Sequence, residues 1–580
     1  MQNLLGVLLL LPLSFAAHLS SAPSLSPLRP RITVAGYTNP LPIRLADGSN
    51  IVSCPDPSII RSQTAGDSAW YMYCTNEVFH DNGPLHFMAI SRSTDLANWT
   101  YVRDVFPAVP SFLPSGAGLW APDIQFFNGK YHLYYSAAKT RVGGPAIYVA
   151  TSSRPGGPFT AMATPVVPPE KMSDRSWRDV IDPAMAMEGG QRYLFYGSFN
   201  GGTSVRMLTE NGLGFAPGSV EVHLSPSRRY EGSYVVQHQG FYYLFLSAGT
   251  CCSGAGSGYG VYVARSEHIL GPYVDQDGVP LMGSNVGGTP VLLMNGNRWL
   301  GPGGNSVVTD LNGQDWMLYH AVDGLNPTVP GAWTRRPAML DPIDWIGDWP
   351  SVRSGAGASN QIEPAPATSA GASPLINLAP VQDSMGPLFP GYTDEFEGSK
   401  VGPQWTWIHS SPRGIFTLKN GSLLLATQFG DMNETIHNAP LLSEAAPSGD
   451  FIVETKLSNN IPGAGNLNGL ESGIVIYQDD THFLKLASQA ISTTRQLEFA
   501  LENGSIWGRG YLASAAPETW LRIARNGDIY TSYSSHDGIS WTRGPSWQFA
   551  TTSQARIALI SAGGLGYLST FEYLRVGERQ

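Results

Sequence analysis

The chain has 580 residues, with 35 basic against 45 acidic side chains and a net charge of −10. At 42% hydrophobic and only 14% charged, it is too apolar for a disordered chain and too weakly charged for a salt-laced helical bundle. The acidity argues against a nucleic-acid partner held through phosphates. Sixty-five glycines and 44 prolines predict many tight turns and few long helices, and the 11% aromatic content suits either large sheet cores or stacking on flat ligand faces.

Residues 4–13 are almost wholly apolar and run into Ser14-Phe15-Ala16, a small-x-small pattern suited to a signal peptidase. Residues 1–16 are therefore read as a signal peptide, too short for a membrane span, and the protein as secreted, extracellular and without a membrane partner. A loose arm is expected to about Ser24. Sequons at Asn98, Asn420, Asn433 and Asn503 are compatible with a glycoprotein. Cys54 and Cys74 lie on adjacent predicted strands and are placed to bridge. Cys251 and Cys252 form a vicinal disulfide or remain two thiols.

Residues 31–350 read as short strands in a loose repeat. A unit opens on an acidic-Pro or similar turn, followed by an apolar strand, a Gly or Asn turn and an aromatic strand. The units start at Pro55-Asp56-Pro57, Ala121-Pro122-Asp123, Ile181-Asp182-Pro183, Tyr230-Glu231-Gly232 and Gly288-Thr289-Pro290. Units of roughly 50–65 residues with about four strands each suit the blades of a five-bladed β-propeller. Residues heading the inner strands then converge on one central cavity, which brings Asp56, Asp123, Asp182 and Glu231 together. Converging carboxylates in an aromatic cavity are costly unless they bind a cation or move protons. Two suffice to cleave an acetal, and a third raises the acid's pKa by like-charge repulsion. Trp70 and Tyr131 are assigned to the core. The glycine-rich Gly254–Gly260 run follows an aromatic strand with no helical pattern behind it, and reads as a flexible loop rather than a phosphate cradle.

Residues 351–391, rich in Ser, Ala, Gly and Pro, read as a linker. Residues 392–580 alternate apolar and polar positions in runs such as Phe451–Thr455, Gly473–Tyr477, Trp520–Arg525 and Ile529–Tyr533, which suits a β-sandwich. The fold class is all-β.

The segments Cys54-Pro55-Asp56-Pro57-Ser58, Trp120-Ala121-Pro122-Asp123, Ile181-Asp182-Pro183, Tyr196-Gly197-Ser198-Phe199 and Tyr230-Glu231-Gly232-Ser233-Tyr234 resemble glycoside hydrolase family 43 over about residues 36–350. The resemblance implies an inverting glycosidase with Asp56 as general base, Glu231 as general acid, and Asp182 tuning and orienting the acid. Further segments, Tyr242–Ser247, Cys251-Cys252, Gly271–Asp275 and Trp299–Gly303, are similar to its arabinan-active members, which implies action on α-1,5-linked L-arabinan or its oligosaccharides. The chain departs at Gly304, where those members place a His beside Asn305. Trp120, Asp123, Ser198, Phe199, Cys251 and Cys252 are the expected substrate contacts, Trp120 and Phe199 by stacking. His320 matches a family position near a calcium ion in the central channel, an ion the chemistry itself does not require. The C-terminal segments Asp394-Glu395-Phe396, Trp405-Thr406-Trp407 and Ser535–Trp541 resemble the concanavalin A-like domain that follows some members. The alternatives are a β-xylosidase or bifunctional xylosidase/arabinofuranosidase, and a catalytically dead sugar-binding propeller. The partner is a polysaccharide or oligosaccharide, and the protein is read as a monomer.

Overall fold

A computed structural model describes residues 36–330, 333–369, 382–409, 415–461 and 467–580. The signal-peptide and arm readings lie outside these residues. The described chain is all-β, with helix confined to three single 3-10 turns.

Five sheets form the blades of a propeller. From inner to outer strand, blade 1 runs Ser58–Arg61, Trp70–Tyr73, Ala89–Ser93, Trp99–Asp104, with Ile43–Arg44 added in parallel. Blade 2 runs Leu119–Phe127, Lys130–Ala137, Ala146–Ser152, Thr160–Ala161, and blade 3 Ala184–Glu188, Gln191–Tyr196, Ser204–Met207, Val222–His223. Blade 4 is Glu231–His238, Phe241–Ala248, Gly260–Ser266, Thr289–Leu292, and blade 5 Trp299–Thr309, Asp315–Asp323, Ala338–Ile346, Trp349–Val352. The fifth repeat is thus out of register with the sequence reading. Thr289–Leu292 pairs with Gly260–Ser266 as the outer strand of blade 4, and blade 5 begins at Trp299, with no acidic-Pro head to mark it.

The aromatic second strands are buried on both faces because each blade is packed between two others. Leu133 and Tyr135 join Tyr71, Tyr73 and Ile90 between blades 1 and 2, while Tyr134 points the other way, onto Met185 and Leu194 of blade 3. The period-2 geometry of a strand produces this alternation. Equivalent clusters lie between blades 3 and 4 and blades 4 and 5. The ring closes through Trp316, Leu318 and Leu340 against Ile59, Trp70 and Trp99. The N-terminal segment fastens this closure: the Tyr37 hydroxyl donates to the Leu340 carbonyl (2.5 Å) and the Leu41 N–H to that of Ala338 (2.9 Å). Cys54 and Cys74 form a disulfide in blade 1. The start of the expected linker belongs to this closure. Glu363–Pro364 pairs with Gly36–Tyr37, and small buried Ala358 and Ser359 pack where the Ser359 N–H donates to buried Asp341 (3.1 Å).

The C-terminal region is a two-sheet sandwich. One sheet runs Phe416–Leu418, Leu423–Ala426, Leu568–Phe571, Phe451–Asn459, Glu518–Asn526, Ile529–Ser535, Thr542–Gln548, with Arg575–Arg579 also paired to Phe451–Asn459 and Met385–Leu388 paired in turn to Arg575–Arg579. The other runs Thr406–Ile408, Leu441–Ala445, Arg556–Ala562, Glu471–Asp479, His482–Ile491, Thr494–Asn503, Ile506–Tyr511. Inward residues such as Leu486, Phe499, Ile474, Leu521 and Ile523 fill the space between them.

Candidate active site

The inner strand of each blade is headed by one residue in the left-handed region: Asp56 (φ 49°), Ala121 (44°), Asp182 (58°), Gly232 (61°) and Gly304 (58°). Three of the five are not glycine, a costly conformation that persists only where surroundings enforce it. The enforcing contacts run around the ring. The Ala121 N–H donates to Thr75 Oγ1 (2.8 Å), that of Asp182 to Ser136 Oγ (3.0 Å), that of Gly232 to Asp182 Oδ2 (3.0 Å), that of Gly304 to Ser247 Oγ (3.1 Å) and that of Asp56 to His320 Nδ1 (3.2 Å). Each blade's second strand, or a preceding head residue, thereby holds the next head turn.

These heads surround a cavity of about 460 Å³, lined among others by Asp56, Thr75, Glu77, Trp120, Asp123, Asp182, Glu231, Cys251, Cys252, Tyr259, Asn305, Trp333 and Arg336. That is the size of a small-ligand site. Asp56 Oδ2 accepts from Thr75 Oγ1 (2.7 Å), and its Oδ1 faces Arg336 Nη1 (3.4 Å) and His320 Nδ1 (3.3 Å). Burial pushes the Asp56 pKa up, but the Arg336 guanidinium, with the Thr75 hydroxyl, outweighs it and holds the carboxyl well below the usual carboxylate range. Glu231 accepts from Ser198 Oγ at Oε2 (2.6 Å) and from the Tyr259 hydroxyl at Oε1 (2.7 Å). Burial raises its pKa despite those two bonds, and the Asp56 charge adds to the rise. Asp182 is raised well above its ordinary value by burial, then by Glu231 and Asp56. One carboxyl is thus favoured in its charged form while a neighbouring pair is shifted toward the protonated form, the two tendencies that acid–base cleavage needs.

The other expected contacts divide. Trp120, 37% exposed, and both Cys251 and Cys252, joined as a vicinal disulfide, line the cavity. Asp123 also borders it, but stands two residues beyond its blade's head turn. Its carboxylate accepts from the Met185 N–H (2.9 Å) and Gln125 (3.1 Å), and burial lifts its pKa to about 7. Ser198 sits behind Glu231 rather than on the cavity wall. Phe199 is off the wall too, its carbonyl tied to the Arg228 N–H (2.7 Å). His320 occupies the position in blade 5 that Ser136 and Ser247 occupy in theirs, holding a head turn. A calcium ion takes six to eight oxygen ligands. Among the described residues no group of three or more His, Cys, Asp or Glu side chains is arranged to hold a metal ion.

Several cavity residues escaped the sequence reading. Tyr259 lies in the glycine-rich run read as a flexible loop. Arg336 is half of the pair Arg335-Arg336, conspicuous in a weakly charged chain, though nothing local places it against Asp56. Trp333, 39% exposed, offers a second aromatic wall. Asn305 is buried, and neither its Oδ1 nor its Nδ2 has a protein partner, which suits a ligand-facing amide. A Cβ on Gly304 would fall 2.7 Å from Asp56 Oδ1 and 2.9 Å from His320 Nδ1. With this Asp56–His320 contact, a side chain at 304 would have to displace Asp56 or His320.

Residues 50–350 match the model of glycosyl hydrolases family 43, and residues 393–558 that of the beta xylosidase C-terminal concanavalin A-like domain. A probable arabinan endo-1,5-alpha-L-arabinosidase A of Aspergillus fumigatus is 31% identical over 330 residues, 55% of this chain and 94% of that protein. An extracellular endo-alpha-(1->5)-L-arabinanase of Bacillus subtilis is 29% identical over 318 residues, covering 51% and 86%. Among solved structures, the alpha-L-arabinanase of Cellvibrio cellulosa complexed with arabinohexaose is 27% identical, covering 52% of this chain and 96% of that one at a TM-score of 0.44.

Proposed function

The chain belongs to glycosyl hydrolase family 43 and is a glycoside hydrolase of arabinan- or xylan-type polysaccharides; from that premise we propose that it is an inverting enzyme of α-1,5-linked L-arabinan and its oligosaccharides. What supports the proposal is the arrangement around the cavity. Asp56 faces the Arg336 guanidinium (3.4 Å), which favours its charged form. Glu231, held by Ser198 Oγ (2.6 Å) and the Tyr259 hydroxyl (2.7 Å), and Asp182 beside it are shifted toward the protonated form by burial and by neighbouring carboxyls. Asp56 takes a proton from a water poised on one face of the sugar. Glu231, oriented by Ser198 and Tyr259, gives its proton to the leaving oxygen on the other side. Asp182 and Glu231 each oppose ionisation of the other, so the pair does not readily lose both protons and Glu231 can carry one to the leaving oxygen. An isolated sugar-binding role gives no reason for this division of charge.

Arabinan is favoured over xylan by the relatives matched across the catalytic region, which are described as arabinan-cleaving. The second reading, β-xylosidase or bifunctional action, is favoured by the C-terminal match to a beta xylosidase domain. The two sugars differ in ring size and shape, so a cavity fitted to one leaves unpaired polar groups with the other. The expected kcat/KM on α-1,5-arabino-oligosaccharides is at least about tenfold that on β-1,4-xylo-oligosaccharides, about 1.4 kcal/mol. Equal or higher efficiency on xylobiose overturns the substrate assignment and leaves the carboxylate roles standing. An extracellular location fits the export-signal pattern of residues 4–16 and the Bacillus subtilis relative described as extracellular.

A further inference from the structure

Among the described residues, those lining the cavity all lie between Asp56 and Arg336, and none belongs to the sandwich. It nevertheless reaches the two segments that hold Glu231. The first is Arg229, two residues before the acid. Its buried guanidinium lies over the rings of Tyr230 (4.8 Å), Tyr262 (5.1 Å) and Tyr511 of the sandwich (4.4 Å). It donates to Gln496 Oε1 (3.3 Å) and the Leu512 carbonyl (3.2 Å), both in the sandwich.

The second is the glycine-rich run before Tyr259. The sandwich edge strand Ile506–Tyr511 lies against it backbone to backbone. The Thr250 N–H donates to the Arg509 carbonyl (2.9 Å) and the Arg509 N–H to Thr250 Oγ1 (3.1 Å). The approach explains the glycines. A Cβ on Gly256 would fall 2.2 Å from the Trp507 carbonyl oxygen, one on Gly258 2.2 Å from that of Arg509, and one on Gly508 2.6 Å from that of Gly256. The run is a docking surface for a strand, not a flexible loop. Its two ends carry Cys251-Cys252 and Tyr259, the latter bonded to Glu231.

We propose that the sandwich is a positioning element for proton donation, acting on Glu231 through Arg229 and through the Thr250–Gly258 run that presents Tyr259. The proposal rests on Glu231 being the general acid. Its signature is therefore a defect in leaving-group protonation rather than in stability or base action. Glycosides with a nitrophenol leaving group need little protonation, and a general acid contributes about 10²–10⁴-fold where protonation is needed.

The test uses the full chain with Thr250→Val, which removes the acceptor for Arg509, and independently Gln496→Leu, which removes an acceptor for Arg229. The substrates are α-1,5-arabino-oligosaccharides and their nitrophenyl glycosides, with Glu231→Gln as reference and Thr250→Ser as rescue. Expected are a loss of about tenfold in kcat/KM on the oligosaccharides, a loss under about twofold on the nitrophenyl substrates, a displaced basic limb of the pH profile, and recovery in Thr250→Ser. Equal losses on both substrates in the interface variants, or no loss in either variant, overturn the proposal. An equal loss on both in Glu231→Gln itself overturns the acid assignment beneath it.

Discussion

Replacing Arg336 by Met tests whether electrostatics set the base. Arg336 Nη1 lies 3.4 Å from Asp56 Oδ1, where two unit charges attract by about 5 kcal/mol at an effective dielectric near 20. The Asp56 side chain is 23% exposed, and Thr75 and His320 remain in contact with it. If solvent and these partners recover about half the attraction, roughly 2.5 kcal/mol is lost, equivalent to about two pH units. The sign follows directly: losing a nearby cation favours the protonated carboxyl, so the acidic limb of kcat/KM moves to higher pH by about two units. The basic limb, set by Asp182 and Glu231, stays within about half a unit. The assay is kcat/KM on an arabino-oligosaccharide across the pH range in which the variant stays folded. A uniform loss at every pH, with the acidic limb unmoved, refutes the reasoning and makes Arg336 a substrate contact only.

Glu231→Gln should abolish turnover of oligosaccharides, by about 10²-fold or more, while largely sparing nitrophenyl glycosides, as read by initial rates on both. Asp182→Asn should inactivate yet raise Tm at pH 7 by about 1–3 °C. A carboxyl whose folded pKa is raised loses folding stability as pH climbs past its unfolded value near 4, so the gain should fade as scanning calorimetry is repeated toward pH 4. Asn305→Ala, which removes the unpartnered amide, should cost about tenfold in kcat/KM if that amide bonds the sugar, and should leave Tm within about 1 °C. Gly304→Ala should lower kcat far more than Trp333→Ala does, because its Cβ displaces Asp56, whereas Trp333→Ala should act mainly on KM.

The blade heads at Asp56, Asp182 and Gly232, the last directly after Glu231, were legible because an acid at or beside a turn residue marks the start of an inner strand. Asp123 carried the same Pro-Asp signature, yet the head turn of blade 2 falls on Ala121, since backbone dihedrals decide the turn and residue type only suggests it. Blade 5 was misregistered for the complementary reason. Gly288-Thr289-Pro290 looks like a head, while the true head at Gly304 is a glycine hemmed in by Asp56 and His320. Arg336 was out of reach because ring closure brings it from blade 5 to Asp56, and Thr75 and Tyr259 because each lies at the end of another strand in its carboxyl's own blade with no local mark of its role. The docking of the sandwich was invisible for a different reason: along the Thr250–Gly258 run it rests largely on backbone groups and absent side chains, and Arg229 meets Gln496 of the sandwich across 267 residues of sequence. The strands of the sandwich were readable from their period-2 alternation alone.

The anomeric form of the first sugar released from an α-1,5-arabino-oligosaccharide, followed by proton NMR in the first minutes, tests the central claim most directly. A base and an acid on opposite faces, separated by the roughly 6.5–9.5 Å that admits a water, predict initial appearance of the β-anomer, which then equilibrates. Initial release of the α-anomer would mean a covalent intermediate, and would contradict the assignment of Asp56 as the base that activates water.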